Sequence, residues 1–542
     1  MSLEVTVARE WNPPAELSTE EERVLRFCKK QKLWAFLRLH RDLILDDRTR
    51  AELRESCPER GPGSDGVAPE QLALGLILQV AFGASDQDVP TLTAVDARWQ
   101  VVLGCLGARE PAFSQGTVFN FRERVRQSGL MERMLERSVE VARETNGISH
   151  RRLRAIFDSS PLVGAGRVED TFNLLGRAIG ELVAVAATEA GRKPKELAEE
   201  LDITAATASS VKAALDVDWR LPGSRAEALH TLLAQFERIH AWLRVQFDDA
   251  KIAAPPIAEH VATVQRIIDQ DTEPDPQPSG KDDNNEADRA EIRDGVAQER
   301  LASLSDRDMR HGRKSKSKCF VGYKRHIAAD ADVPGLVSSV RVLPANRPEH
   351  EAAKPLVADL QTLAFDIVEA HLDRGYLPAD VVVELHNSGV DVISKPPTPR
   401  NGERFSKGDF ELDFVARTAT CPARAVVPIG SNNVASFPPK TCRSCDLRAR
   451  CITEKNKRGR QIRLHPQEQW YREMAAELGT PDGRAKRRER TTVEHVLARI
   501  SAIQGYKARY KGLEKNQVHL EAVALINNCY VLMALLAARE AA

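Results

Sequence analysis

The stretch that decides the fold is Asp366-Ile-Val-Glu-Ala-His-Leu-Asp-Arg-Gly-Tyr-Leu377. Ile367, Val368, Ala370 and Leu372 suit a short buried strand, and Asp-Arg-Gly-Tyr breaks the pattern, with Gly375 permitting a sharp exit. Asp373 is thereby expected at the carboxyl end of a strand, where open α/β sheets build their sites. A carboxylate there either caps the following turn or coordinates a divalent metal together with other carboxylates. Two other stretches share this character. Strand pattern over His150–Phe157 delivers Asp158 into a Ser-Ser-Pro turn, and Glu494 flanks the apolar stripe Val493, Val496, Leu497, Ile500 and Ile503 of a helix predicted over 484–504. Glu494 has a competing reading, since Thr491-x-x-Glu494 also fits a capping box.

Outward from this strand the chain reads as a mixed sheet with helices on its faces. Cys319–Ala329 and Leu336–Leu343 flank a turn at Asp332–Gly335, which predicts a hairpin; Glu349–Leu363 follows as a helix and Val390–Ser394 as a further strand. Residues 1–148 read as helical throughout. Within them the basic helix 114–127 is either a groove-reading element or an ordinary surface helix packed by Val118, Phe119 and Val125. Helical patterns return over 170–269, and 270–299 is Pro-rich and acidic, the composition of a solvated linker. A closing apolar helix over 517–538 is expected to cover one face of the sheet.

At 542 residues the chain is too long for one ordinary core. The apolar run Leu72–Phe82 is too short to span a bilayer and reads as a buried helix. The N-terminus lacks the charged-then-apolar pattern of a signal peptide, so a cytoplasmic protein with no membrane association is expected. Lys and Arg balance Asp and Glu at 78 each, which on its face argues against a polyanionic partner. The charge is segregated, however. Arg310, Arg313, Lys314, Lys316, Lys318, Lys324 and Arg325 lie in a stretch with no acidic residue, and a second cluster runs from Arg484 to Arg490. These are candidate phosphate contacts, with the acidic linker masking them in the total.

Nine cysteines, an odd count, argue against a disulfide framework. Four crowd into 399–466: Cys421, Cys442, Cys445 and Cys451. A C-x-x-C turn presents two sulfurs to one ion, so these are candidate ligands of a structural zinc, with His465 a possible substitute and four unliganded thiols the alternative.

Taken together, Asp158-Ser-Ser-Pro-Leu-x-Gly-x-Gly166, Gly322-Tyr-Lys-Arg-His-Ile-Ala-Ala-Asp330 with Pro344-Ala-Asn-Arg-Pro-Glu349, Leu372-Asp-Arg-Gly-Tyr376, and Val493-Glu-His495 with Lys507-Ala-Arg-Tyr-Lys-Gly512 resemble the DDE transposases of bacterial insertion sequences. The likeness is closest to the subgroup with a helical N-terminal domain and a late cysteine cluster. It implies an α/β fold with an RNase H-like mixed-sheet core, entered at 149–169, resumed at 300–398 and closed by the helices of 467–542. A helical DNA-binding domain would precede the core; the helical and cysteine-rich segments would be inserts. The roles of the first Asp, the second Asp and the Glu fall on Asp158, Asp373 and Glu494, as ligands of magnesium or manganese. Around the Glu such enzymes often carry Y-x-x-R-x-x-x-E-x-x-x-x-x-x-K. Here Arg490 fits, whereas Arg487 and Ser501 occupy the other two places, leaving Lys507 and Arg509 as candidates for holding the terminal phosphate. The resemblance further implies DNA as partner, both element ends and target, and a homodimer or higher oligomer in the synaptic complex. A related nuclease that cuts without joining, and a non-catalytic DNA-binding protein, are the rival readings.

Overall fold

The computed structural model describes residues 11–57, 67–221, 223–274, 290–315 and 317–541. Its centre is a mixed sheet. Strand β1 (Arg152–Val163) pairs antiparallel with β2 (Cys319–Asp330), which pairs antiparallel with β3 (Val337–Pro344). On its other side β1 pairs parallel with β4 (Asp366–Leu372), and β4 pairs parallel with β5 (Asp391–Ser394). The order is therefore β3-β2-β1-β4-β5, with a short strand Arg310–Arg313 also laid along β2. The β2–β3 hairpin and β4 lie where the sequence predicts them. This mixed α/β architecture is compatible with an RNase H-like fold.

Strand β1 departs from expectation. It does not end at Asp158 but runs on through Ser-Ser-Pro to Val163, with Pro161 opposite Lys324 and Val163 opposite Gly322. Serine and proline are turn formers only where no partner strand offers a ladder; here β2 supplies one along the whole length. Gly322 is required by closeness, since a Cβ there would collide with the carbonyl oxygen of Leu162. The parallel pairing with β4 stops earlier, at Ile156 opposite His371, so Asp158 still projects where β1 leaves its parallel neighbour.

Helix α1 (Leu130–Thr145) and the long helix α5 (Leu513–Ala541) cover one face of the sheet. By length and composition α5 could cross a membrane, yet two-thirds of its apolar window is buried within the protein. Asn528, buried in α5, shows how it is fixed: its amide nitrogen donates to Ser138 Oγ on α1 and to the Val337 carbonyl, and its oxygen accepts from Val337 N–H. A buried amide with its bonds made ties three elements in one register. The N-terminal helices share a continuous apolar core with the sheet, from Trp11 to Leu532.

Two further cores are separate. Helices between Thr171 and Asp271 pack around Leu175, Ile179, Leu182, Leu232 and Ile239, and Leu301 and Leu304 return to join them. The acidic segment read as a linker over 270–299 is built at both ends: Thr272–Pro274 pairs with Ala290–Ile292, and Arg300 is bound to buried Asp271 at 2.7 Å. Its remainder, 275–289, lies outside the described residues. The third core gathers Phe410, Ala419, Ile429, Ala435, Phe437 and Ile462 under the late cysteines. After α2 (Glu468–Leu478), the single helix predicted over 484–504 is two, α3 (Pro481–Glu489) and α4 (Thr491–Gln504), breaking at Arg490.

Candidate functional site

Alternation along two parallel strands builds the site. The register sets Arg154 beside Glu369 and Ile156 beside His371. Because side chains alternate faces, Arg154, Ile156 and Asp158 of β1 share one face with Glu369 and His371 of β4. Asp373 follows immediately past the end of β4, with its Oδ1 accepting the Arg374 N–H at 2.8 Å at the start of the turn Arg374–Tyr376. Asp158 Oδ1 likewise accepts the Ser159 N–H at 2.8 Å.

The α3–α4 break docks on this face through two consecutive residues of opposite charge. Glu489 pairs with Arg154, which also binds Glu369 at 2.7 Å. Arg490 turns the other way, its guanidinium 3.3 Å from Asp158 Oδ1 and 3.7 Å from Asp373 Oδ1. Asp158 is nearly buried, and that burial pushes its carboxyl above the usual range; Asp373 adds to the rise, while Arg490 and the Ser159 N–H oppose it. Glu494 lies one helical turn beyond Arg490 on α4 and is exposed. The capping-box alternative is not made: Arg490 is the residue preceding α4, in helical conformation and without a side-chain cap, and Thr491 Oγ1 donates instead to the Arg488 carbonyl.

Several residues of this site escaped the sequence reading. Arg154, Glu369, His371 and Glu489 form a compact network under the aspartates, in which His371 Nε2 lies 2.6 Å from Glu369 Oε1. Donor atoms of Glu369, His371 and Glu489 come within 4.8 Å of one another, and both carboxylates are bound to the Arg154 guanidinium, which also reaches Asp332 at 3.3 Å. The signal was present in Glu369 and His371, spaced by two ahead of Asp373 along a strand read from its apolar residues alone. Glu349 is another such residue: it accepts from Ser159 Oγ at 2.7 Å and packs against Gly375, where a Cβ would strike its carboxylate. It fastens the residue after Asp158 to the turn after Asp373.

Divalent metal fits the pair Asp158 and Asp373. Their hard oxygen donors are of the type magnesium or manganese takes, and both carboxylates face Arg490; Glu494 does not join them within 4.8 Å, the donors that meet so closely among the described residues being those of Glu369, His371 and Glu489. The late cysteines surround a cavity of about 490 Å³. Burial, joined by the neighbouring thiols, pushes Cys451 up, and Cys421 Sγ accepts the Ala425 N–H at 3.3 Å. Four soft donors around one cavity fit zinc by type. Their sulfurs stand farther apart than in a closed tetrahedral site, since the donor atoms found mutually within 4.8 Å among the described residues are those of Glu369, His371 and Glu489. His465 is turned elsewhere, its Nδ1 accepting the Gln467 N–H at 3.1 Å and its ring stacking on Tyr471.

The basic candidates divide. Arg313, Lys314, Lys318, Arg487 and Lys507 are exposed. Lys316 lies outside the described residues. Arg310 is occupied by the Arg307 carbonyl at 2.6 Å, and Lys324 by the Arg347 carbonyl at 2.8 Å. Arg325 is no surface contact. It is 2% exposed and donates to Ser160 and Ser501 hydroxyls, Gln504 and the Gly505 carbonyl, a clamp between β1 and α4. Arg509 is partly committed to the Ala84 carbonyl and stacks on Tyr510. On the N-terminal basic helix, Arg122 is held by Asp86 at 2.7 Å and by Tyr510, and Arg126 by Glu123 and Glu514, which favours the packed surface helix over a groove reader, although it packs through Val118, Phe121 and Val125 and leaves Phe119 exposed.

With this geometry in place, comparison with known proteins adds one finding. Residues 429–533 match the family model of a transposase DDE domain. That match supports a DDE-type transposase. It takes in Arg490, Glu494 and Cys442, Cys445 and Cys451, and leaves Asp158 and Asp373 outside, so these two rest on geometry. No curated protein and no solved structure matches.

Proposed function

We propose that this chain is a metal-dependent DNA transposase that cuts at the ends of its own element and joins them to target DNA. The observation that carries the reading is the meeting of Asp158 and Asp373 on Arg490, one helical turn from Glu494. Asp158, Asp373 and Glu494 would hold magnesium or manganese, which supplies Lewis-acid activation of the attacking oxygen and charge neutralisation on the leaving one.

The protein's part is positioning. In cleavage a water oxygen attacks phosphorus, the bond to the bridging 3′ oxygen breaks, and that oxygen leaves as a 3′-hydroxyl. In joining, this hydroxyl attacks a target phosphodiester and displaces that strand's 3′ oxygen. No serine or cysteine nucleophile is needed. Asp158 is fixed by β1 and the Ser159 N–H, and Asp373 by its turn, so their oxygens are set before DNA arrives. Arg490 holds the two carboxylates at one place and offers guanidinium donors beside the reacting phosphate. Arg313, Lys314, Lys318, Arg487 and Lys507 line the DNA path through phosphates, giving salt-dependent affinity with little sequence information. Cys421, Cys442, Cys445 and Cys451 would hold a structural zinc. The enzyme acts in the cytoplasm, as a dimer or larger assembly that pairs two ends.

The test is incubation of the purified chain with magnesium and a duplex carrying the inverted repeats that flank its gene. The reading requires nicks with free 3′-hydroxyls at the repeat boundary and joined products with a target plasmid. Nicks without joining, even from precut ends, would instead make it a nuclease; binding without either would make it a DNA-binding protein.

A further inference from the structure

We propose that the cysteine-rich module is itself a DNA-contacting element, gripping the duplex backbone through a cluster of lysines and arginines that does not belong to the site above. The proposal rests on the DNA-transposase reading and assigns it a second surface. Over 439–463 the chain carries nine basic residues and two acidic ones. Two of the nine are structural: Arg448 donates to the Cys442 and Asn456 carbonyls, and Arg460 to those of Cys451 and Phe405. The other seven, Lys440, Arg443, Arg450, Lys455, Lys457, Arg458 and Arg463, are exposed. Among the described residues none of them pairs with a carboxylate within 4.0 Å.

The cations are also held together. Gly459, at φ 83°, packs against the Phe437 carbonyl and Pro438, and Phe437 N–H donates to the Arg460 carbonyl at 2.8 Å. The loop bearing Lys455, Lys457 and Arg458 is thereby laid beside the start of the short helix Pro439–Arg443, which bears Lys440. Asn456 fixes the loop from within, donating to the Gly459 carbonyl at 3.2 Å while its own carbonyl receives Arg448. Like charges held close by a built loop repel one another unless a polyanion neutralises them. A phosphate backbone, with its regular negative charge, is the partner of matching chemistry.

The module leads through Glu468–Leu478 into α3 and Arg490, and it is fastened there by Lys407 on Glu468 and by Arg472 on the Lys407 and Phe410 carbonyls, at 3.0 Å and 3.1 Å. Its grip on DNA is thus transmitted to the helix pair that carries the candidate site. Binding is to backbone, so element end and flanking or target DNA are both eligible sources of the phosphates.

The experiment compares the full chain with the Lys455→Gln, Lys457→Gln, Arg458→Gln triple variant, and with Lys440→Gln, Arg443→Gln, Arg463→Gln. Fluorescence anisotropy is read over a salt series on an end-containing duplex and on an unrelated duplex of equal length. Each phosphate contact removed flattens log affinity against log salt by about 0.9, so a triple variant flattens it by up to about 2.7. Flattening on both duplexes assigns the face to any DNA; flattening on one alone assigns it to ends or to flanking DNA. Unchanged slopes and affinities in both variants, with thermal unfolding as in the parent, overturn the proposal and leave the face to an acidic polypeptide. A chain that shows this slope change but cuts no DNA in magnesium would remove the transposase reading and keep the contact.

Discussion

Arg490 stands between Asp158 and Asp373, within 3.3 Å of one carboxylate and 3.7 Å of the other, and it does so from the break between two helices. Neither a strand-end aspartate nor a basic helix would show this alone. Replacing Arg490 with Gln removes the charge that holds the pair together and the donors beside the phosphate. Cleavage and joining are expected to fall about a hundredfold or more, the usual scale for one preorganised electrostatic group. Arg490→Lys should recover only part, since an ammonium cannot span two carboxylates as a guanidinium fork does. Single-turnover rates on precut ends measure this directly.

Below that site, Arg154 serves both Glu369 and Glu489, and Glu369 in turn binds fully buried His371. Arg154→Ala leaves two carboxylates facing each other without their cation and loosens the α3–α4 junction. It should cost about 1–3 kcal/mol in urea unfolding and lower activity through a displaced Arg490. An unchanged unfolding midpoint would show that the junction does not depend on this network.

A pH effect of known sign is built into α5. Burial pushes Glu521 up to about 7, against an ordinary value of 4.5, with Glu132 and Asp359 adding and Gln517 and Arg341 opposing. A carboxyl whose folded value is raised costs stability as pH climbs from 4.5 towards 7, because the unfolded chain releases the proton first. Glu521→Gln keeps the Gln517 bond and abolishes the titration. The variant should match the parent below about pH 4 and be more stable at pH 8, by up to about 3 kcal/mol. Thermal unfolding at the two pH values reads it.

Much of this was legible in the residues. The apolar residues of 366–372 and the turn residues at 332–335 carry their meaning locally, and β4 and the β2–β3 hairpin follow from them. What was hidden depends on contacts between distant segments. Ser-Ser-Pro reads as a turn until β2 lies alongside, and Arg325 reads as surface charge until Ser160 and Ser501 enclose it. The same holds for Arg490, whose partners lie far away in sequence, and for Glu349, which meets Ser159 only through the fold.

The cysteine cavity makes a stoichiometric prediction. Protein purified under reducing conditions should carry about one zinc per chain, and removal by chelation should lower the unfolding temperature, with Cys442→Ser or Cys445→Ser doing the same. Cys28, Cys57, Cys105, Cys319 and Cys529 lie apart from this cavity and should contribute nothing to metal content. Metal analysis finding none would return the segment to four free thiols.

The most direct test of the central claim is the Asp373→Asn variant, assayed for cleavage and joining of end-containing DNA in magnesium and for binding to the same DNA. The substitution removes one negative charge from beside the phosphates and leaves the fold's core untouched. Binding is therefore expected to be nearly unchanged while cleavage and joining vanish. Retained joining in magnesium would contradict the role given to Asp373, and with it the site built on Asp158, Asp373 and Glu494.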